Sequence, residues 1–68
     1  MTDNKKCKPM LNLKLMRIRK GFTLIQLAEK AGLNYNTISQ YETGKHAPRI
    51  ENLRAIAEVL ECDVKEII

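Results

Sequence analysis

Apolar residues recur along this sequence at the spacing of helices, most clearly in its last third. One apolar stripe there consists of Ile50, Leu53, Ile56, Ala57 and Leu60. Side chains three or four positions apart lie on the same face of an α-helix, whereas strict alternation indicates a strand. This stretch therefore predicts an amphipathic helix. Strand patterns are weak throughout, so we expect an all-α fold.

Glycines and prolines divide the sequence into predicted helices. All three glycines and both prolines fall at expected helix ends. Pro9 can open the first helix, since proline is favoured in a first turn, and Gly21 can close it. Gly32 and Gly44 can close the second and third helices in the same way. The fourth helix follows the loop after Gly44.

Capping residues mark where several helices begin. Thr23 with Gln26 forms a capping box for the second helix, and Asn34 can cap the third. Asp63 with Glu66 forms another capping box, which predicts a short fifth helix running to residue 68. Apolar pairs that could act as hydrophobic staples accompany these caps: Phe22 and Leu27, Leu33 and Ile38, Cys62 and Ile67.

The second and third predicted helices are joined by one tight turn, Ala31-Gly32-Leu33. Two short helices with a glycine-containing turn of this length form a helix-turn-helix. In that unit the second helix lies in the major groove of DNA. Residues 34–43 are therefore the predicted recognition helix.

The predicted recognition helix is rich in uncharged hydrogen-bonding side chains. Ile38 and Tyr41 are expected to face inward, and the opposite side carries a polar set. That set comprises Asn36, Gln40 and Thr43, flanked by Tyr35 and Ser39. Amide side chains can donate and accept together, as an adenine edge requires. We favour base contact over the alternative of a merely solvated face, except at Asn34, where the helix cap is preferred.

Length and charge narrow the class of protein. Sixty-eight residues make one small domain, and the net charge is +4. Residues 1–22 carry seven Lys or Arg and one acidic residue, whereas residues 51–68 carry two basic and five acidic residues. A basic pole suits a polyanion, although short basic tails also serve solubility. We expect a mobile basic arm over residues 1–8 and the domain over residues 9–68.

Several function classes are disfavoured. Cys7, Cys62 and the single histidine, His46, cannot form a Cys/His zinc site, so no metal or cofactor is expected. Cys62 is interpreted as a small core residue rather than a redox group. No nucleophile–base pair suggests an enzyme. No apolar run reaches the roughly 20 residues of a membrane span, and no secretory signal is visible, so a cytoplasmic protein is expected.

Two longer stretches carry a resemblance to a known family. They are LMRIRKGFTLIQLAEKAGLNYNTISQYETGKHAP and IENLRAIAEVLECDVKEI, with LAEKAG, TIS-x-YE-x-G-K and the proline after the loop as the specific parts. Over about residues 12–68 the sequence resembles the lambda-repressor-like helix-turn-helix family, also called the xenobiotic-response-element family. The resemblance implies a five-helix bundle that binds operator DNA, usually as a dimer. We therefore expect a sequence-specific transcriptional regulator, with repression the first choice.

The resemblance also implies roles for single residues. The positions expected to contact bases are Tyr35, Asn36 and Gln40, to which we add the flanking Ser39. The positions expected to approach phosphates are Thr23, Asn34, Thr37, Thr43 and Lys45. Leu24 stands where the family usually has glutamine, so only its backbone N–H, at a helix N-terminus, can take part.

Arg17 and Glu42 match positions that commonly form a buried salt bridge in the family. Their positions on the predicted helices agree with this. Arg17 lies one turn past Leu13 and Glu42 one turn past Ile38, so each charge lies on an apolar stripe. The alternative is a pair of unrelated surface charges.

Expected partners follow from the same considerations. The first is double-stranded DNA, as an inverted-repeat operator bound by a homodimer. Since the sequence stops after the fifth helix, we expect dimer contacts from Val64, Ile67 and Ile68. The alternative function is an antitoxin-like or other protein-binding module on this fold. It is motivated by four apolar residues off the expected core stripes, which are Leu15, Ile18, Leu24 and Ile25.

Overall fold

Four α-helices and one short 3-10 helix form residues 8–68, the part of the chain that the computed structural model describes. The elements are α1 (Leu11–Arg19), α2 (Leu24–Ala31), α3 (Tyr35–Thr43), α4 (Ile50–Leu60) and the 3-10 helix Val64–Glu66. The predicted all-α fold is confirmed over these residues. The arm predicted for residues 1–8 lies, apart from Lys8, outside the described residues.

The prediction of a fifth α-helix was wrong, because the last element is a single 3-10 turn. The N–H of Glu66 donates to the carbonyl of Asp63 at 2.9 Å, and that of Ile67 to Val64 at 3.0 Å. Both bonds span three residues rather than four, which is the 3-10 pattern. The turn holds three residues, too few to offset the cost of starting an α-helix.

The predicted helix ends are confirmed at the helix-turn-helix. The Thr23 hydroxyl accepts the N–H of Gln26 at 3.1 Å, and the Thr23 N–H donates to Gln26 Oε1 at 3.0 Å. Gly32 and Gly44 end α2 and α3 at φ 74° and 82°, in the left-handed region that disfavours residues with a Cβ. Helix α1 begins two residues after Pro9.

The core gathers one stripe from each helix. Its fully enclosed side chains are Leu13, Leu27, Ile38, Ile56, Leu60 and Ile67. Helix α2 packs against both α3 and α4, and α1 packs against α3. Ile50 was predicted to share the buried stripe of α4, but its side chain is exposed. It is the first residue of α4, and the buried stripe begins one turn later at Leu53.

The longest helix, α4, has 11 residues. A bilayer span takes about 20 apolar residues in a helix. None of the helices in residues 8–68 could therefore cross a membrane.

Candidate nucleic-acid interface

The turn between α2 and α3 sets the two helices at a fixed angle. The Leu33 N–H donates to the Ala28 carbonyl at 2.8 Å, which closes the end of α2 directly after Gly32. A Cβ at Gly32 would meet no atom within 4 Å, so its φ of +74° and not crowding is what favours glycine there. The tight turn predicted from sequence is therefore built by backbone conformation.

Asn34 is the N-cap of α3, the predicted recognition helix. Its Oδ1 accepts the N–H of Asn36 at 2.8 Å, and its carbonyl accepts the N–H of Thr37 at 3.0 Å. The cap interpretation of Asn34 is confirmed. Its exposed amide group still has Nδ2 hydrogens that could donate to a phosphate.

Helix α3 divides into a buried face and an accessible face. Ile38, Tyr41 and Glu42 are buried. The four residues predicted to contact bases share the other side: Tyr35 and Asn36 are exposed, and Ser39 and Gln40 are half-buried. Positions i, i+1, i+4 and i+5 form one patch over two helical turns. The structure thus brings the predicted base-contacting residues together.

The residues predicted to contact phosphates differ in how accessible their polar groups are. Thr23 is exposed, but its hydroxyl already caps α2. The Thr43 hydroxyl donates to the Ser39 carbonyl at 3.0 Å, so it can offer only an acceptor unless it rotates. Thr37 is half-buried, and Lys45 is exposed just beyond the left-handed Gly44, with its backbone N–H bonded to the Gln40 carbonyl at 2.9 Å.

Leu24 differs from its neighbours in the predicted interface. Its side chain is half-buried and packs against the core. Its backbone N–H lies in the first turn of α2, and contact between this N–H and a phosphate stays a prediction.

A polar cleft beside α3 contains residues that the sequence analysis did not single out. The Tyr41 hydroxyl accepts from Asn52 Nδ2 at 2.8 Å and from the Arg49 N–H at 3.4 Å. The cleft is lined by Thr37, Gln40, Tyr41, His46, Ala47, Arg49 and Asn52. Arg49 could have been suspected from the sequence, because it is a cation directly before α4. Asn52 had no such signal, because its contact with Tyr41 depends on where α4 packs.

Arg17 and Glu42 form a buried ion pair between α1 and α3. Arg17 Nε lies 2.7 Å from Glu42 Oε2, and Nη2 lies 3.2 Å from Oε1. The third nitrogen, Nη1, donates to the Phe22 carbonyl at 2.9 Å. This bidentate arrangement satisfies both charged groups and holds α3 against α1.

The residues predicted to form a homodimer interface do not form one surface. The Ile67 side chain is completely enclosed, and Val64 is half-buried and packs against the core. Ile67 is therefore corrected from an interface residue to a core residue, because the 3-10 turn directs it inward. Ile68 is exposed, and its carbonyl accepts from Asn12 Nδ2 at 2.9 Å.

The apolar residues predicted to contact a protein partner are likewise divided. Leu15 and Ile18 are exposed on α1, and Ile25 is exposed on α2. Leu24 belongs with the core, so the predicted four-residue set is not one patch. The sequence analysis also missed Leu11, which is 62% exposed on α1.

Cys62 packs partly buried against the core, next to the 3-10 turn. Burial raises the pKa of its thiol, and Glu66 and Asp63 act in the same direction while Lys20 opposes them. A raised pKa keeps the thiol protonated at neutral pH, which suits a packing residue. Among residues 8–68 no cluster of His, Cys, Asp and Glu could hold a metal ion.

Comparison with known proteins identifies similar sequences and structures. The family model HTH_3, described as helix-turn-helix, matches residues 13–67. The HTH-type transcriptional regulator SlrR of Bacillus subtilis is 32% identical over 56 residues, covering 81% of this chain and 37% of SlrR. The CTXphi transcriptional repressor RstR of Vibrio cholerae is 36% identical over 45 residues, covering 66% of this chain and 40% of RstR. The chain thus spans about two fifths of these relatives.

Two solved structures are similar over 85% of this chain and 88% of their own. The N-terminal DNA-binding domain of SinR from Bacillus subtilis has a TM-score of 0.78 at 33% identity. The restriction-modification controller protein C.AhdI from Aeromonas hydrophila has a TM-score of 0.81 at 24% identity, which supports the fold alone.

Proposed function

This chain belongs to the helix-turn-helix family HTH_3, and from that membership we propose that it is a sequence-specific regulator of transcription that binds double-stranded DNA, acting as a repressor. In this proposal α3 enters the major groove, and Tyr35, Asn36, Ser39 and Gln40 contact the bases. We propose the cytoplasm as its location, as the sequence led us to expect.

The observation that carries the proposal is the division of α3 into two faces. Its inward face is fixed by Ile38, Tyr41 and the ion-paired Glu42. Its accessible face offers Asn36 and Gln40, whose amides can pair with the N6 and N7 atoms of adenine. A rigidly held helix that presents amides outward is suited to base recognition, because a fixed backbone lets a short side chain select one base edge.

The relatives support the same function by their descriptions. SlrR is a transcriptional regulator, RstR is a transcriptional repressor, and the SinR fragment is a DNA-binding domain. We extend these roles to the present chain by proposal, since it spans only part of SlrR and RstR.

We further propose that the chain binds its operator as a homodimer. Two-fold dimers of helix-turn-helix units place their recognition helices roughly 34 Å apart, which matches half-sites about 10 bp apart. The operator should then be an inverted repeat. Of the three contact residues predicted from sequence, we keep Ile68, the one whose side chain is exposed.

The alternative of an antitoxin-like protein-binding module has less support as the main function. It depended on four apolar residues forming one surface. Leu24 packs against the core, and Ile25 lies on a different helix from Leu15 and Ile18.

Two substitutions test the division between base and phosphate contacts. We expect Gln40→Ala to lose about 1–3 kcal/mol of binding free energy on the preferred operator and little on scrambled DNA, since a bidentate base contact discriminates by that amount. Lys45→Ala should weaken binding to both duplexes about equally and reduce the salt slope by about one unit per site. The measurement is affinity for operator and scrambled duplexes at several salt concentrations, after site selection from random DNA.

Lys45→Ala is the matched control, because both side chains border the same interface and neither is in the core. Parallel losses on both duplexes for Gln40→Ala would show that Gln40 does not read bases. A selected site without two-fold symmetry, bound by a monomer at full affinity, would contradict the proposed dimer.

A further inference from the structure

Helix α1 is apolar on two opposite faces. Its inward face packs Leu13 and the ion-paired Arg17 into the bundle. Its outward face carries Leu11, Leu15 and Ile18, whose side chains are 62%, 64% and 55% exposed. A helix at the surface of a domain ordinarily has one apolar stripe and a charged or polar outer face. The outward stripe of α1 therefore does not contribute to packing of the core.

The outward stripe has the spacing of a coiled-coil seam. Leu11, Leu15 and Ile18 are separated by four and three residues, the d, a, d order of a heptad. Concave grooves border this seam: Pro9, Leu11 and Ile68 line one, and Leu15, Ile18 and Glu66 line another. Such a ridge between grooves is a shape against which a second amphipathic helix can pack.

The charges beside the seam specify what kind of helix fits. In the same heptad the flanking e and g positions are Asn12, Lys14 and Arg19, and α1 contains no acidic residue. Opposite charges at e and g favour pairing and like charges oppose it. Glu66 lies near the end of the seam, where its carboxylate accepts the N–H of Asp63. The flanks of the seam therefore favour a partner that is acidic.

A second copy of this chain does not supply that partner helix. Two α1 helices packed seam to seam would bring Lys14 and Arg19 of one copy against the same basic residues of the other. Helix α4 is more acidic, but its exposed residues, which include Arg54 and Glu58, do not form an apolar stripe. The like charges and the missing stripe both argue against a contact between two copies through this seam, so the homodimer proposed above is not formed by it.

We propose that the outward face of α1 binds an amphipathic helix of another protein, with an apolar a/d seam flanked by glutamate or aspartate. This surface is distinct from the DNA-contacting face, because the outward face of α1 lies opposite the face whose Arg17 contacts α3. Partner binding and DNA binding use different sides of the domain, so an acidic helix can be recruited to a DNA-bound regulator.

The test uses the full chain and a synthetic three-heptad helical peptide with leucine at a and d and glutamate at e and g, lactam-stapled on its outer face. Glutamate flanks keep such a peptide from pairing with itself at neutral pH. Fluorescence anisotropy of the labelled peptide reports binding. A peptide with lysine at e and g, and one with the glutamate composition but a scrambled seam, serve as controls.

We expect the glutamate peptide to bind and both controls to bind at least about ten-fold more weakly, a factor that corresponds to about 1.4 kcal/mol. Leu15→Gln should weaken binding by a similar factor, whereas Ile25→Gln, an equally exposed site on α2, should not. The double variant Lys14→Glu/Arg19→Glu should reverse the preference and favour the lysine peptide. These residues are exposed, so the variants should fold, which circular dichroism can verify.

Three outcomes of the peptide measurements would overturn the proposal. They are equal binding of the glutamate and scrambled peptides, no binding of the glutamate peptide, and no effect of Leu15→Gln. A fourth is self-association of the full chain that Leu15→Gln abolishes in sedimentation equilibrium, since this would assign the seam to a second copy.

Discussion

Arg17 connects three parts of the chain through one side chain. Two of its nitrogens bind Glu42 on α3, and the third binds the carbonyl of Phe22 between α1 and α2. Both members of the pair are almost entirely removed from solvent. An ion pair of this kind costs desolvation to form, but removing one partner leaves the other charge buried without compensation.

Arg17→Ala should therefore destabilise the domain by about 3–5 kcal/mol. A domain of this size has a free energy of unfolding near the low end of about 5–15 kcal/mol, so the variant should be largely unfolded at 37 °C. The double variant Arg17→Met/Glu42→Leu, which removes both charges, should be clearly more stable than the single one. Urea denaturation of the three proteins measures this. A single variant within a few tenths of a kcal/mol of wild type would contradict it.

Glu61 is the one non-glycine residue with positive φ among residues 8–68, at +56°. It ends α4 in the left-handed conformation that glycine adopts without a Cβ penalty. Glu61→Gly should therefore raise the free energy of unfolding by about 1 kcal/mol and the thermal midpoint by several degrees.

The matched control for this prediction is Glu58→Gly, an exposed position inside the same helix. There glycine should cost about 1 kcal/mol, because it loses more backbone entropy in a helix than other residues. Equal effects of the two substitutions would show that the conformation of Glu61 carries no strain.

At the scale of elements, the sequence predicted best what is decided locally. The capping box of Thr23 and Gln26, the cap at Asn34 and the glycine ends of α2 and α3 depend on neighbours within a few residues, and each was confirmed. The fifth α-helix failed because a capping box marks a start and not a length. Whether the Ile67 side chain faces inward depends on packing against residues distant in sequence, and no local pattern contains that information.

The candidate site shows the same difference between features that the local sequence decides and features that tertiary packing decides. The accessible patch of α3 could be predicted, since helical periodicity alone places positions 35, 36, 39 and 40 together. The cleft formed by Tyr41, Arg49 and Asn52 could not, because it exists only once α4 lies beside α3. Leu24 was taken for a surface residue for the same reason.

At the scale of the whole molecule, the 3-10 turn helps to cover the core. Ile67, directly after the 3-10 turn, is completely enclosed, whereas its neighbour Ile68 is exposed. The short turn thus supplies a residue to the hydrophobic core. The Asn12 side chain holds this end by its hydrogen bond to the Ile68 carbonyl.

Ile67→Ala should cost about 2–5 kcal/mol of stability, as other truncations of fully buried isoleucine do. Ile68→Ala, one residue on, should change the free energy of unfolding by less than about 0.5 kcal/mol, as is usual for exposed sites. Thermal unfolding followed by circular dichroism distinguishes them. If both substitutions had the same small effect, the C-terminal turn would not be part of the folded core in solution.

The division of α3 into a buried face and an accessible face has a consequence for engineering. Ile38, Tyr41 and Glu42 anchor the helix, and none of them belongs to the patch of Tyr35, Asn36, Ser39 and Gln40. The four patch positions can therefore be randomised in a combinatorial library without removing the buried contacts that hold α3 in the bundle. Most members of such a library should remain folded, which makes this domain a compact scaffold from which binders of new operators can be selected.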